Sequence, residues 1–305
     1  MYRTFVIIRH TFLEAIVQPI YTLLIAIGAA ILAIFAALPF FTLGEDTVMF
    51  KAVGLDVVLL LVLIATLFAT SRSIYEEIED RTMLTLMSKP VRRWQVMVGK
   101  YLGIVSAALL AVAILGIILI LCTWWRLPGD YQLRTSSLDD SEIKQIWTYR
   151  AMHISGLLPS LVLVWLQVSV LAAIGVAIST RVPLVVNLPV VILIYIAGNL
   201  TRFMFPLEAG SGGPLSSSGP IVKGIAYIIG TILPYLENFD LRALTVYNPI
   251  ALAGTEFAQN PAASTLATIW GYTGYAALYA IVYATFALTA GMLFFQTREL
   301  GGAEG

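Results

Sequence analysis

Six long apolar runs constrain this chain more than any other feature of its sequence. A helix of about 20 mainly apolar residues crosses a bilayer, and backbone amides inside a bilayer must be hydrogen-bonded within the protein. The runs therefore predict membrane-spanning helices, of which the second is the shortest. They occupy residues 20–41, 55–70, 101–123, 157–178, 184–205 and 269–295.

The composition agrees with a membrane-embedded chain. Of its 305 residues, 59% are apolar and only 12% are charged, whereas soluble domains carry about 25% charged residues. We predict an all-α, polytopic membrane protein in which residues 1–305 form one transmembrane domain. The net charge of zero gives no electrostatic reason to expect a nucleic-acid partner.

Two further segments are predicted to contact the membrane without simply crossing it. Residues 1–19 mix charged and apolar side chains, which favours an amphipathic interfacial helix that Pro19 ends. Before the last run, a Gly/Ser/Pro-rich linker leads to the apolar piece 221–236, which Pro234 interrupts. This piece is predicted to be a re-entrant or interfacial segment; as a seventh span it would place the C-terminus on the opposite side.

The distribution of Lys and Arg predicts the orientation. With six spans, the shorter set of connecting segments carries the higher density of cations, and cytoplasmic segments are the cation-rich ones. Both termini and residues 71–100 are then cytoplasmic, and residues 124–156 and 206–268 are extracytoplasmic. We expect a multi-pass protein of the inner (cytoplasmic) membrane.

Residues 71–100 form the one long, highly charged block between two apolar runs. A helix is predicted over 73–88, where Glu77 can pair with Arg81 four residues on, and Pro90 stops it. An acidic face on this helix would suit a basic groove on a soluble partner, with apolar contacts from Ile74, Ile78, Leu84 and Met87; the alternative is a solvated loop. The charged residues are Glu76, Glu77, Glu79, Asp80, Arg81, Lys89, Arg92, Arg93 and Lys100.

The same block carries a resemblance to a known family. It contains Glu-Ile-Glu-Asp-Arg-Thr-Met-Leu over 77–84, Lys-Pro-Val-Arg-Arg over 89–93, and Gly99-Lys100 at the start of the third run. This pattern resembles the segment after the second span of ABC transporter permeases of the type-2 exporter class. Arg81 stands where Gly is frequent, and Met83 and Met87 stand where Leu is usual.

The resemblance implies a function and a set of partners. The block would form a coupling helix seated in a groove of a separate ATPase subunit, and the permease would act as a dimer with a second copy or a paralogue. ATP and Mg would be bound by the partner, because no G-x-x-x-x-G-K-[ST] phosphate loop occurs in the sequence; this chain is therefore not expected to be an enzyme. The implied coupling residues are Glu76, Glu77, Glu79, Asp80, Arg81, Thr82, Leu84, Leu86, Lys89, Pro90, Arg92 and Arg93.

Polar residues within the apolar runs are candidates for a translocation path, because such residues are costly in a membrane. Gln167 and Asn187 fall in the fourth and fifth runs. Four tyrosines of the sixth run fall within about 80° of one another on a helix, where they could line a path or pack between helices with Gly271 and Gly274. These tyrosines are Tyr272, Tyr275, Tyr279 and Tyr283.

Two other classes of function stay open from the sequence. One is a non-transporting assembly or sensor protein that docks a soluble partner through the charged block. The other is an ion-coupled carrier, which would commonly bury a carboxylate, whereas Asp56 is expected at the outer mouth of its span. His10 and His153 are far apart in the sequence, so no metal site is predicted.

Overall fold

The computed structural model describes residues 2–38, 46–79, 92–130, 140–204, 233–247, 250 and 265–296, and the regular elements in these ranges are helices. A π-helical turn, Ser71–Glu76, and a short α-helical piece, Glu77–Glu79, extend α3 without a break. A 3₁₀ turn covers Leu236–Phe239. The α-helices are α1 (Tyr2–Val17), α2 (Pro19–Ala37), α3 (Asp46–Thr70), α4 (Arg93–Asp130), α5 (Asp140–Ser179), α6 (Leu184–Met204), α7 (Arg242–Thr245) and α8 (Leu266–Gln296).

Five helices in the described ranges are long and apolar enough to cross a membrane, and they coincide with five of the six predicted spans. The predicted span 184–205 falls on α6, whose apolar part, Leu184–Leu200, is about 25 Å long. This is shorter than the roughly 30 Å hydrocarbon core, so the span 184–205 stays a prediction. The five are Pro19–Ala37, Asp46–Glu79, Arg93–Arg126, Arg150–Ser179 and Leu266–Phe295.

The predicted helix ends were wrong at one end of the bundle, where helix continues through residues expected to form loops. Helix α3, which contains the second predicted span, begins at Asp46 instead of residue 55. Most of the predicted loop 124–156 is helical, since α4 runs to Asp130 and α5 starts at Asp140. At least one polar residue there, Arg126, is hydrogen-bonded by neighbouring helices and does not have to face water.

Arg126 is the clearest example of such a residue. Its Nη1 donates hydrogen bonds to the carbonyls of Phe35 and Leu38, each at 2.8 Å, at the C-terminal end of α2. Its Nη2 lies 3.5 Å from Asp46 Oδ2 at the start of α3. A cation at a helix C-terminus is favourable because the last carbonyls carry partial negative charge. Arg126 therefore joins α4 to α2 and α3.

The N-terminal helix ends as the sequence predicts. Val17 is the last residue of α1, and Pro19 occupies the first turn of α2, where its missing N–H costs nothing. Helix α1 packs closely along the beginning of α4, because a Cβ on Gly103 would lie 2.7 Å from Thr11 Cβ and 2.8 Å from the Ile8 carbonyl oxygen. The interfacial position of α1 in the membrane stays a prediction.

Helix α5 forms the centre of the bundle and packs against α3, α4 and α8. Most of its apolar stretch is buried, including Leu163, Val168 and Leu171. At one end, here called the Lys100 end, lie Lys100, Glu77, the α5–α6 turn and the last turn of α8. At the other, here called the Arg126 end, the segment 233–247 contacts α5 and α6; residues 221–232 of the predicted re-entrant piece lie outside the described ranges.

Candidate functional site

Lys100, at the end of the charged block, binds residues near the beginning of the block through an ion pair and hydrogen bonds. It is only 3% exposed, and its Nζ lies 2.6 Å from Glu77 Oε1. The ammonium also donates to the Ser73 carbonyl and lies 3.1 Å from Ser73 Oγ. Because Ser73 and Glu77 belong to the extension of α3 and Lys100 belongs to α4, this cluster ties the predicted coupling loop to two spanning helices.

The described part of the block separates into an exposed acidic side and a buried apolar side. Glu76 and Glu79 are exposed, and Glu76 lies 4.0 Å from Arg72 in a pair whose side chains are both more than half exposed. Ile74 and Ile78, which we expected to contact a partner, are instead buried in the protein's own core. That expectation was wrong, because the extension of α3 still packs against the bundle, where it contacts α5 and α6.

Two arginines at the Lys100 end contact the last turn of α8. Arg93 Nη1 lies 3.5 Å from the Phe295 carbonyl oxygen, and its guanidinium lies 5.7 Å from the centre of the Phe295 ring. Arg181, in the α5–α6 turn, donates from Nη2 and Nε to the Phe294 carbonyl at 2.9 and 3.2 Å. The block, the α5–α6 turn and the end of α8 therefore form one connected surface.

Arg92 begins α4 with a reciprocal cap. Its backbone N–H donates to Gln95 Oε1 at 3.1 Å, and the Gln95 N–H donates to the Arg92 carbonyl at 2.9 Å. Its side chain is exposed, as a contact residue would need to be. The other coupling candidates lie outside the described residues; they are Asp80, Arg81, Thr82, Leu84, Leu86, Lys89 and Pro90.

A large apolar cavity opens between α4, α5 and α8. Its volume is about 710 Å³, and its walls include Tyr101 from α4, Trp165 from α5 and Ile281 from α8. The indole N–H of Trp165 donates to the Val105 carbonyl at 3.1 Å, which leaves the carbon faces of the ring to the cavity. This space suits an apolar group.

A second, smaller cavity lies at the Arg126 end and is polar. Its volume is about 200 Å³, and it is bounded by α3, α5, α6 and the segment 233–247. Gln167, a predicted path residue, lines it. None of the other predicted path residues lines either of these two cavities.

Asn187 is fully buried at the turn between α5 and α6. Its Nδ2 donates to Ser179 Oγ at 2.7 Å and to the Gly175 carbonyl at 3.3 Å. These contacts hold the first turn of α6 against the last turns of α5. Because these contacts stabilise the turn between two helices, they give no support to the predicted role of Asn187 in a path.

The tyrosine stripe of α8 divides between two environments. Tyr275 is 76% exposed, whereas Tyr279 accepts a hydrogen bond from the Tyr235 N–H at 2.8 Å. Tyr279 also packs against Phe239 and Tyr283, with ring centres 5.9 and 6.1 Å away. Tyr279 therefore supports the segment 233–247. Tyr272 is partly exposed.

Two glycines of α8, Gly271 and Gly274, make no close helix contact among the described residues, whereas a Cβ on Gly291 would lie 2.7 Å from Ala177 of α5. A Cβ on Gly271 or Gly274 would meet no atom within 4 Å among the described residues. Helix packing at these two glycines, one of the two alternatives for the tyrosine stripe, is therefore not seen among the described residues.

Asp56 and Arg242 form a bidentate ion pair that sequence reasoning did not predict. Arg242 Nη2 lies 2.5 Å from Asp56 Oδ1, and Nη1 lies 2.9 Å from Oδ2. Burial acts to lower the pKa of Arg242, but the hydrogen bond and charge of Asp56 outweigh it and hold the pKa above its ordinary value. The pair fixes the start of α7 against α3.

A second buried cation lies near this pair. Lys51 is buried in α3, and its Nζ lies 2.8 Å from His153 Nδ1 and 3.4 Å from the Val246 carbonyl. The only sequence signal for these sites was a charged residue near the end of an apolar run. Their partners are about 100 to 190 residues away in the chain, so no local pattern identifies them.

The comparisons with known proteins agree with this architecture. The family model described as "ABC-2 family transporter protein" matches residues 16–183, more than half of the chain, from the end of α1 through the charged block to the end of α5. No curated protein matches the chain. With its apolar spanning helices, the chain belongs to the ABC-2 family of transporter proteins as a multi-pass membrane permease.

Proposed function

We propose that this chain is the transmembrane subunit of an ATP-driven exporter and that residues 71–100 couple it to a separate ATPase subunit. Membership of the ABC-2 family supports a permease that works with an ABC ATPase. The observation that carries the proposal is the buried cluster of Lys100, Glu77 and Ser73. Because it fixes both ends of the loop to α3 and α4, a movement imposed on the loop is passed to two spanning helices.

The exposed charges define the surface that the ATPase would contact. Glu76, Glu79 and Arg92 are exposed at the Lys100 end, whereas Glu77 is occupied by Lys100. In this proposal the docking contacts come from the exposed residues together with residues 80–91, and Glu77 holds the loop in place. The Lys100 end and both termini are then cytoplasmic.

ATP would act by changing which of two states of the permease is favoured. A partner shifts such an equilibrium only if it binds the two states with different free energies. The ATPase subunits, which bind ATP and Mg, would close on nucleotide and move the loops of two permease copies, or of one copy and a paralogue. The apolar cavity between α4, α5 and α8 is the proposed part of the path that takes the apolar portion of a substrate.

The test is co-purification of the full chain with a candidate ABC ATPase subunit, followed by measurement of ATP hydrolysis. Wild-type chain should retain the ATPase and stimulate its hydrolysis, and Glu76→Lys combined with Glu79→Lys should weaken both. The matched control reverses two charges of the predicted outer segment, Asp140→Lys with Glu142→Lys, and should behave like wild type.

Other results assign the chain to another class. A retained partner that does not hydrolyse ATP indicates an assembly or sensor protein. Transport that follows an ion gradient without any ATPase indicates an ion-coupled carrier. Full retention and stimulation by the Glu76/Glu79 variant would contradict docking through this surface.

A further inference from the structure

The polar cavity at the Arg126 end is lined by a mostly buried glutamine, Gln167, whose amide has no hydrogen-bond partner among the described residues. Gln167 is 7% exposed and lines the cavity, yet its side chain makes no hydrogen bond to the described residues. A buried polar group is normally hydrogen-bonded, and an exception calls for a bound molecule or another explanation. Gln167 can offer one acceptor oxygen and two donor hydrogens.

The charged groups of this cavity leave an excess of negative charge. Its lining contains two carboxylates, Asp56 and Asp240, and one guanidinium, Arg242. Asp56 occupies both Nη atoms of Arg242, and Asp240 Oδ1 lies 3.7 Å from its Nε. An anionic ligand would have to displace these carboxylates. A cation, by contrast, would compensate the surplus charge.

The shape and the remaining walls favour an organic cation over a bare metal ion. A volume of about 200 Å³ is several times the roughly 30 Å³ that one water occupies in the liquid. Leu55, Leu59 and Val164 give the cavity apolar surface beside its polar groups. Tyr195 also lines it, and a tyrosine hydroxyl accepts or donates hydrogen bonds as a ligand requires.

We propose that this cavity binds the primary ammonium group of a small organic ligand. An ammonium has three donors, which match the Gln167 amide oxygen, the Tyr195 hydroxyl and a carboxylate of the cavity. The aliphatic carbons next to the ammonium would lie against Leu55, Leu59 and Val164. Lys51, the next cation along α3, does not fill this role, because its Nζ lies against His153 and Val246.

The proposal is tested on the purified full chain with propylammonium as the probe. Thermal unfolding is followed against ligand concentration, since a ligand that binds only the folded state raises the midpoint in a saturable way. Propionate and 1-propanol, with similar size and no positive charge, are the control ligands. Propylammonium should raise the midpoint saturably, and the control ligands should not.

Two opposite changes at Gln167 make the test specific to the cavity. Gln167→Leu should weaken propylammonium binding by about tenfold or more, as loss of a hydrogen bond to a charged group does. Gln167→Glu should tighten it. Ser155→Ala is the matched control, because Ser155 lies on the same helix, donates to the Met152 carbonyl at 3.0 Å and lines neither of the two cavities; it should leave binding unchanged.

The proposal is overturned if propylammonium shows no saturable effect, if propionate or propanol does as well, or if Gln167→Leu binds like wild type. Because the measurement uses the permease chain alone, these results leave the ATP-coupled function unaffected. Likewise, failure to co-purify an ATPase would leave this binding site standing.

Discussion

Glu77 and Lys100 form an ion pair with a 2.6 Å separation between Oε1 and Nζ, although they are 23 positions apart in the sequence and a predicted loop lies between them. Lys100 is buried, and Glu77 is mostly so. The neighbouring glutamate, Glu76, makes only an exposed pair with Arg72. Two adjacent carboxylates of the same block therefore have different roles: one holds the loop to the bundle, and the other is available at the surface.

This difference predicts that a Glu→Gln substitution has a much larger effect on stability at position 77 than at position 76. Glu77→Gln should destabilise the chain by about 2 kcal/mol, because it removes a hydrogen-bonded charge from a buried ammonium. Glu76→Gln should change stability by less than about 0.5 kcal/mol, as exposed pairs contribute little. Thermal unfolding of the purified chain measures both. Equal shifts would mean that Lys100 is satisfied without Glu77.

The contact between α1 and α4 predicts opposite signs for glycine-to-alanine changes. Gly103→Ala places a Cβ 2.8 Å from the Ile8 carbonyl oxygen, and overpacking of this kind costs about 1–3 kcal/mol. Gly271→Ala meets no atom within 4 Å among the described residues and should stabilise the helix by up to about 1 kcal/mol. The unfolding midpoints should therefore move in opposite directions; a stable Gly103→Ala chain would contradict close packing of α1.

The sequence predicted the existence of most helices, but several of their ends and most of their connections could not be predicted. Apolar runs identify a membrane helix because its backbone hydrogen bonds form between residues close in the sequence. The continuation of α4 through Arg126 depends on carbonyls of α2 about 90 residues away, and the burial of Lys51 depends on His153.

The candidate sites also depend on contacts between residues far apart in the chain, which the sequence pattern does not reveal. The charged block was recognisable as a sequence pattern, whereas its fastening by Lys100 and Ser73 needed the fold. Gln167 was predicted from its polarity within an apolar run, and the cavity that it lines is completed by Asp56 and Arg242, which are far from it in the chain. Long-range pairs of this kind leave no periodic signal.

The last turn of α8 should loosen when Arg181 is removed. Arg181→Ala eliminates two hydrogen bonds to the Phe294 carbonyl and a favourable charge at a helix C-terminus, together about 0.3–1 kcal/mol. Hydrogen exchange of the amides in residues 292–296 should accelerate accordingly. Arg9→Ala, which changes an exposed arginine of α1, should not affect these amides, and acceleration in both variants would argue for general destabilisation.

The ion pair of Asp56 and Arg242 should hold the segment 233–247 against the bundle. Asp56→Asn should expose Leu236, which is fully buried in the native protein. The measurement is the rate of aqueous thiol labelling of Leu236→Cys in a Cys122→Ala background. Labelling should accelerate in Asp56→Asn and change less in Asp240→Asn, whose contact with Arg242 is longer at 3.7 Å. Equal rates with and without Asp56 would show that other contacts hold the segment.

Photo-crosslinking from single positions tests most directly whether the Lys100 end docks the ATPase. A crosslinking amino acid at Glu79 and one at Tyr247 both occupy exposed positions, one beside the charged block and the other at the Arg126 end. In the assembled complex, coupling through residues 71–100 predicts that position 79 captures the ATPase subunit and position 247 does not. Capture from 247, or no capture from 79 in a complex that hydrolyses ATP, would contradict coupling through residues 71–100.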